Sequence, residues 1–225
     1  MLMKKEREEI CAYSKKLVED NLTKGTAGNI SIINREFNYI AITPSGMNYL
    51  ELKPEDIVVI DMNKNTIEGN RKPSSECDLH IYMYKLRDSI NSVVHTHSIY
   101  CTVLASMKQT IKPVHYVLAD VGAAEVPIAP YHTYGTKELA KSVYNTIGEC
   151  NACLMENHGI ITVGESLNSA YGLAATCEWV SEIQWKCLCA GTPNYLSKND
   201  IDVVIDKFKS YGQKEESNKS NNYFS

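Results

Sequence analysis

Strand-like and helix-like segments alternate only in part along this chain, and that order limits its fold more than any single motif does. Lys4 to Asn21 opens with helical spacing, placing Ile10, Tyr13, Leu17 and Val18 on one face. N-I-S-I-I and N-Y-I-A-I then read as a hairpin around Asn34 to Glu36, closed by T-P-S-G, with I-V-V-I-D (Ile57 to Asp61) as a buried strand. K-P-S-S-E-C-D-L-H carries a helix-start signature, in which serines supply the cap, acids fill the first turn and Leu79, Met83 and Leu86 continue the apolar stripe. S-V-V-H-T-H is a strand, Ile99 to Met107 a short helix, E-V-P-I-A-P extended and Thr136 to Ile147 helical. A-C-L-M-E-N-H-G-I-I-T-V is a strand pair hinged at Asn157 to Gly159. A long helix follows from about Leu167 to Ala190, stopped by Gly191 and Pro193, and a last one from Asp200 to Tyr211. With helices between only some of the strands, one mixed α/β domain with a largely antiparallel or mixed sheet is expected. No internal repeat or linker-like shift divides it, and Q-K-E-E-S-N-K-S-N-N-Y-F-S at the end reads as a solvated tail.

Composition removes several function classes. The 225 residues suffice for one substantial core. A formal net charge of −4 offers nothing to a phosphate backbone, so nucleic acid is not an expected partner. No run approaches the roughly 18 apolar residues of a membrane helix, and the charged start M-L-M-K-K-E-R-E-E-I lacks a secretory apolar core. The cytoplasm is the expected compartment. The eight cysteines then read as reduced thiols; Cys150-Asn-Ala-Cys153 with Cys187-Leu-Cys189 is the alternative, a structural zinc site, though C-x-C on a continuing helix points its sulfurs apart.

The strand Val93–His97 holds the first chemical candidate. Residues i and i+2 of a strand face one way, so His95 and His97 would present both imidazoles on one side, as a bidentate claw for a divalent metal or as two polar residues on an exposed edge. His158, in E-N-H-G, sits in a turn that Gly159 lets bend sharply, where a histidine is structural or catalytic. Glu76 follows two serines at a helix start, where a carboxylate either complements the dipole or reaches a metal. His80 lies one helical turn on and reads as support or packing, with ligation as the lesser alternative. Three histidines and one carboxylate fit a catalytic zinc site with a position that opens to substrate.

Three donor-rich turns accompany these residues. G-T-A-G-N-I-S (with Gly28 and Asn29), T-P-S-G (Ser45, Gly46) and P-S-S-E (Ser74, Ser75) are common turns and caps, or together a cradle for phosphate. Neither a P-loop nor G-x-G-x-x-G is present, so nucleotide binding has no support.

Taken in order, G-T-A-G-N-I-S, I-T-P-S-G, P-S-S-E, V-V-H-T-H-S-I-Y-C-T, V-H-Y, A-P-Y-H-T-Y-G-T, N-H-G and K-F-K-S-Y-G span Gly25 to Gly212. This ordered set resembles the class II aldolase/epimerase family, and within it the L-fuculose-1-phosphate aldolase branch. The resemblance implies a single α/β domain over residues 1–212, three layers with a central mostly antiparallel sheet flanked by helices; the tail over 213–225 has no counterpart in it. It implies one Zn²⁺ per subunit on His95, His97 and His158, with Glu76 as ligand at rest and acid/base in turnover. Phosphate would lie on Gly28, Asn29, Ser45, Gly46, Ser74 and Ser75. Tyr116, in V-H-Y, would protonate the aldehyde oxygen and Tyr211 would close over the site, both reaching it from a neighbouring subunit of a homotetramer. The implied reaction is zinc-dependent cleavage of a ketose 1-phosphate, L-fuculose 1-phosphate in that branch, to dihydroxyacetone phosphate and an aldehyde (L-lactaldehyde). Tyr134 departs from the phenylalanine of that branch. Alternatives are an L-ribulose-5-phosphate 4-epimerase, which carries aspartate where Glu76 stands, an aldolase or dehydratase for 5-deoxyribulose or methylthioribulose 1-phosphate, and a non-catalytic adducin-like module.

Overall fold

In the computed structural model, which describes residues 1–210, one sheet organises the chain. Eight strands run in the order β4-β3-β2-β1-β5-β8-β7-β6. They are β1 (Asn29–Asn34), β2 (Tyr39–Ile42), β3 (Val58–Asp61), β4 (Thr66–Glu68), β5 (Ser92–Thr96), β6 (Ile128–Ala129), β7 (Ala152–Met155) and β8 (Gly159–Gly164). Every pairing is antiparallel except β6 with β7. The helices are α1 (Lys4–Glu19), α2 (Cys77–Leu86), α3 (Ile99–Ser106), α4 (Lys137–Ile147), α5 (Leu167–Ala190) and α6 (Lys198–Phe208).

Strand periodicity sorts the apolar residues into two cores. Ile33, Ile40, Ile42, Val58, Ile60, Val93, Ile161 and Val163 point to one face and pack under α2 and α4. Their neighbours Ile30, Ile32, Ala41, Val59 and Val94 point to the other, against α1 and α5, and Leu154 and Ile160 continue it toward α3 and α5. Both faces are therefore covered, giving three layers. A sheet buried on both faces tolerates few polar residues, so Asn29, Ser31 and His95 on the α2 side, all 5% exposed or less, require internal partners.

Several local expectations shift. The chain pairs β3 with a further short strand, β4, whose T-I-E is too brief and exposed to announce itself. The serines before α2 do not cap it: Glu76 takes the N-cap position without a capping bond, and the Ser74 hydroxyl accepts the Glu76 N–H at 3.2 Å. The Glu76 side chain is thereby left to turn inward. β5 lies in the middle of the sheet, not at an edge, and ends at Thr96, one residue before His97. α6 begins at Lys198, two residues earlier than expected, capped by Ser197. Tyr211, the boundary at 212 and the tail over 213–225 lie outside the described residues. No helix among those described is long and apolar enough to cross a membrane.

Candidate metal centre and phosphate cleft

Three neighbouring segments meet at one end of the sheet. Asn29, the first residue of β1, pairs across to His95 on β5, and His95 pairs on its other side to Ile161 of β8. The connection from β7 to β8 is the three residues Glu156–His158, with Asn157 in the left-handed region at φ 54°, which asparagine tolerates better than most residues. That hairpin brings His158 back over the end of β5. Tight backbone contact locks the arrangement: a Cβ on Gly28 would lie 2.5 Å from the His95 carbonyl oxygen, and one on Gly159 2.3 Å from that of Thr96.

The three imidazoles face one another. Their ring centroids are 4.8, 4.8 and 4.9 Å apart, with interplanar angles of 63–85°. His95 Nε2 is 3.0 Å from His97 Nε2 and 3.3 Å from Glu76 Oε2, while His158 Nε2 is 3.5 Å from Glu76 Oε1. His95 Nδ1 lies 2.8 Å from the Ile160 carbonyl, which can only accept, so Nδ1 carries the proton and Nε2 of the neutral ring offers its lone pair to the cluster. Lone pairs this close require a cation between them, a proton or a metal ion. Glu76 Oε1 is buried without a hydrogen-bond partner. An orphaned carboxylate oxygen beside three convergent imidazoles fits a divalent ion. Among the described residues these histidines form the one group of three or more His, Cys, Asp or Glu side chains placed to hold a metal; Cys150, Cys153, Cys187 and Cys189 are free thiols and form no such group.

The electrostatics agree with that reading. Burial pushes the His97 ring down to about 3, helped by the neighbouring His95 and His158, and burial with His95 pushes His158 down to about 4. Both are thus held neutral, as ligands must be. Burial would raise the Glu76 carboxyl, but facing His95 and His158, with an N–H from Asn29, it is held well below the usual carboxylate range. Burial disfavours charge on His95 as well, yet its contact with Glu76 outweighs this and draws it upward.

Above the cluster opens a cleft of about 350 Å³. Gly28, Asn29, Ser45, Gly46, Ser74 and Ser75 all line it, together with Glu76, His97 and His158, while His95 lies beneath, fully buried. The turns do not offer all their amides: Ser45 N–H donates to Lys72 O and Ser74 N–H to Thr43 O. Ser45 and Ser74 therefore present hydroxyl donors in place of their amides. Tyr131, His132 and Tyr134 also line it, and of these only Tyr134 stood out in the sequence. The signal was present in A-P-Y-H-T-Y-G-T, whose Gly135 (φ 73°) lets the loop lie against Ser75, a Cβ there standing 3.1 Å from the Ser75 carbonyl. Tyr116 does not line this cleft; it is 53% exposed, stacked on His115 in the 3₁₀ turn Tyr116–Val121.

Comparison with known proteins bears on the same residues. A family model described as the Class II Aldolase and Adducin N-terminal domain matches residues 8–185. A 5-deoxy-D-ribulose 1-phosphate aldolase of Bacillus thuringiensis serovar kurstaki is 43% identical over 213 residues, covering 95% of this chain and 100% of the relative. An L-fuculose phosphate aldolase of Haemophilus influenzae is 41% identical, covering 85% of this chain and 88% of the relative. A solved L-fuculose 1-phosphate aldolase superposes with a TM-score of 0.89 at 40% identity, over 91% of this chain and 96% of that one.

Proposed function

This chain belongs to the class II aldolase family, and from that premise we propose that it is a zinc aldolase cleaving a deoxyketose 1-phosphate. The products are dihydroxyacetone phosphate and a short aldehyde. The observation that carries the reading is the convergence of three imidazole nitrogens and the Glu76 carboxylate on the floor of a cleft rimmed by hydroxyl-bearing turns. For the substrate, 5-deoxyribulose 1-phosphate is favoured by the relative matched over its full length, with L-fuculose 1-phosphate second on the strength of the fuculose relatives. Both end in a methyl group and differ by one hydroxymethylene in the aldehyde.

His95, His97 and His158 would hold the ion, with Glu76 as the exchangeable fourth ligand, and an all-imidazole and carboxylate set suits zinc. Bound there, it would supply Lewis acidity, polarising the ketose carbonyl and spreading the negative charge left on the triose fragment when C3–C4 breaks. The remaining work falls to the chain. The Ser45, Ser74 and Ser75 hydroxyls with the Gly28–Asn29 and Gly46 turns bind the phosphate and fix C3 over Glu76. In the synthetic direction the ionised Glu76, its Oε1 free of hydrogen bonds, takes the proton from C3 of the triose, and cleavage returns that proton to C3. Tyr116 of a neighbouring copy gives its phenolic proton to the aldehyde oxygen in the synthetic direction and, as the phenolate, takes the C4 hydroxyl proton in cleavage; exchange with solvent resets Glu76 and Tyr116, and Tyr211 closes the site. The position of Tyr116, exposed and away from its own cleft, supports a homotetramer with shared sites.

The test is release of triose phosphate by zinc-loaded protein from 5-deoxyribulose 1-phosphate and from L-fuculose 1-phosphate, with L-ribulose 5-phosphate alongside. Faster release from the first assigns the deoxypentulose, and from the second the deoxyhexulose. Epimerised product without triose release would overturn the aldolase reading.

A further inference from the structure

The fully buried His80 has no part in the reaction just described, yet it lies in a chain of polar side chains that ends at Glu76. Asn29 and Ser31 are alternate residues of β1 and so share a face; Glu76, His80 and Tyr84 recur every four residues along the start of α2 and share a stripe. Two strand residues span ~6.6 Å and four helical residues ~6 Å, so the two rows stay in step and interleave. The contacts follow that order. Asn29 Nδ2 donates to Glu76 Oε2 at 2.9 Å, Asn29 Oδ1 meets His80 Nε2, His80 Nδ1 meets Ser31 Oγ at 2.6 Å, and Ser31 Oγ meets the Tyr84 hydroxyl at 2.6 Å. All five side chains are at most 7% exposed.

Chemistry leaves one direction for the protons. A carboxylate only accepts, so Asn29 turns its N–H₂ toward Glu76 and its oxygen toward His80. His80 must then carry a proton on Nε2, and with the ring neutral it accepts at Nδ1 from the Ser31 hydroxyl, which in turn accepts from Tyr84. Arg35 holds the far end, its guanidinium donating to the Tyr84 carbonyl at 3.2 Å and lying 5.7 Å from the ring centroid.

We propose that His80 is a positioning residue whose neutral, Nε2-protonated ring locks the Asn29 amide, so that Oε2 of Glu76 is anchored and Oε1 alone is free to exchange with the metal and carry the proton. Without that lock the amide can turn over and set its oxygen against the carboxylate. The part played by Oε1 rests on the aldolase reading; the lock itself does not.

The experiment therefore begins on metal-free protein. Nitrogen-15 spectra should show His80 neutral with hydrogen on Nε2 at pH 7, and Asn29 side-chain amide protons protected from exchange. In His80→Met those protons should exchange about tenfold faster or more, while His80→Gln, whose amide can replace the Nε2–H donor, keeps most of the protection. Titration with cobalt(II) then gives a 10- to 100-fold loss of affinity in His80→Met, the usual scale for an outer-shell partner, with recovery in His80→Gln. A hydrogen on Nδ1, an imidazolium, or unchanged amide exchange and cobalt affinity in a folded His80→Met would overturn the proposal. Wild-type protein that takes up no cobalt would sink the aldolase reading instead, leaving the amide and tautomer data to judge the lock.

Discussion

Gly159→Ala provides the sharpest check on how the backbone builds the imidazole cluster. Its added Cβ would lie 2.3 Å from the Thr96 carbonyl oxygen and 3.2 Å from His97 Cδ2, between the strand end that carries His97 and the turn that carries His158. Relief needs β5 and β8 to part by roughly an ångström at that end, and forcing such overlap into a packed interior costs about 1–3 kcal/mol. Metal–ligand distances tolerate about 0.2 Å, so the same displacement should cost zinc affinity ten- to a hundredfold. Gly164→Ala is the matched control. It puts a Cβ 2.3 Å from Ser169 Oγ and 2.7 Å from the Ala170 amide, at the other end of the same strand, ~17 Å from Gly159. Urea unfolding of the metal-free proteins gives stability, and competition with a chromophoric chelator gives zinc affinity. Both variants should be destabilised and only Gly159→Ala should lose zinc. Zinc affinity within threefold of wild type in a destabilised Gly159→Ala, or an equal loss in Gly164→Ala, would refute the argument that local backbone contact sets the ligand geometry.

Three further outcomes follow from the same contacts. His97→Ala removes one of three facing imidazoles, so added zinc should raise the thermal midpoint of wild type by ligand linkage and leave the variant unmoved, with triose release abolished. The His80 ring, pushed down to about 3 by burial and then by His95, lies below its unfolded value, so its contribution to stability is present above about pH 6.5 and is lost as pH falls toward 3. Between pH 7 and 5 metal-free wild type should therefore lose about 2 kcal/mol more than His80→Gln in denaturant unfolding, and parallel curves would contradict this. Gln184→Leu strands two groups at once, since the fully buried Gln184 side chain accepts the Lys112 N–H at 2.7 Å and donates to the Thr110 carbonyl at 2.9 Å. A loss of about 2–4 kcal/mol is expected, and one below about 1 kcal/mol would mean that water replaces both bonds.

What was legible in the sequence was whatever period or local sterics dictate. The helix Leu167–Ala190 is bounded as its apolar run and Gly191 require, and the β7–β8 hairpin turns where Asn157 and Gly159 permit. The ligand candidates were legible for the same reason: His95 and His97 are two apart on a strand, and the serine-bearing turns declared their donors. Long-range pairing was not. Nothing local to V-V-H-T-H says that β5 lies between β1 and β8, and that interior place buries His95 completely and excludes the exposed-edge alternative. The loop of Tyr131, His132 and Tyr134 was legible only in part: A-P-Y-H-T-Y-G-T and Tyr134 stood out, but the contact of Gly135 with Ser75, sixty residues earlier, that seats the loop on the cleft did not.

Glu76 shows why the site could be read residue by residue yet misread in its local setting. By position it is a first-turn acid after two serines, where capping is the default and the macrodipole favours the charge. In the fold it makes no capping bond; its Oε2 is taken by Asn29 and its Oε1 has no hydrogen bond. A helix start that forgoes a cap in order to bury a carboxylate gives up about 1 kcal/mol and incurs a desolvation cost besides. Hydrophobic packing cannot repay that, but three facing imidazoles with a cation among them can. The local rule fails at Glu76 because its side chain faces the histidine cluster across the sheet, and such a conflict between propensity and position marks a functional site more strongly than any of the four candidate ligands does alone.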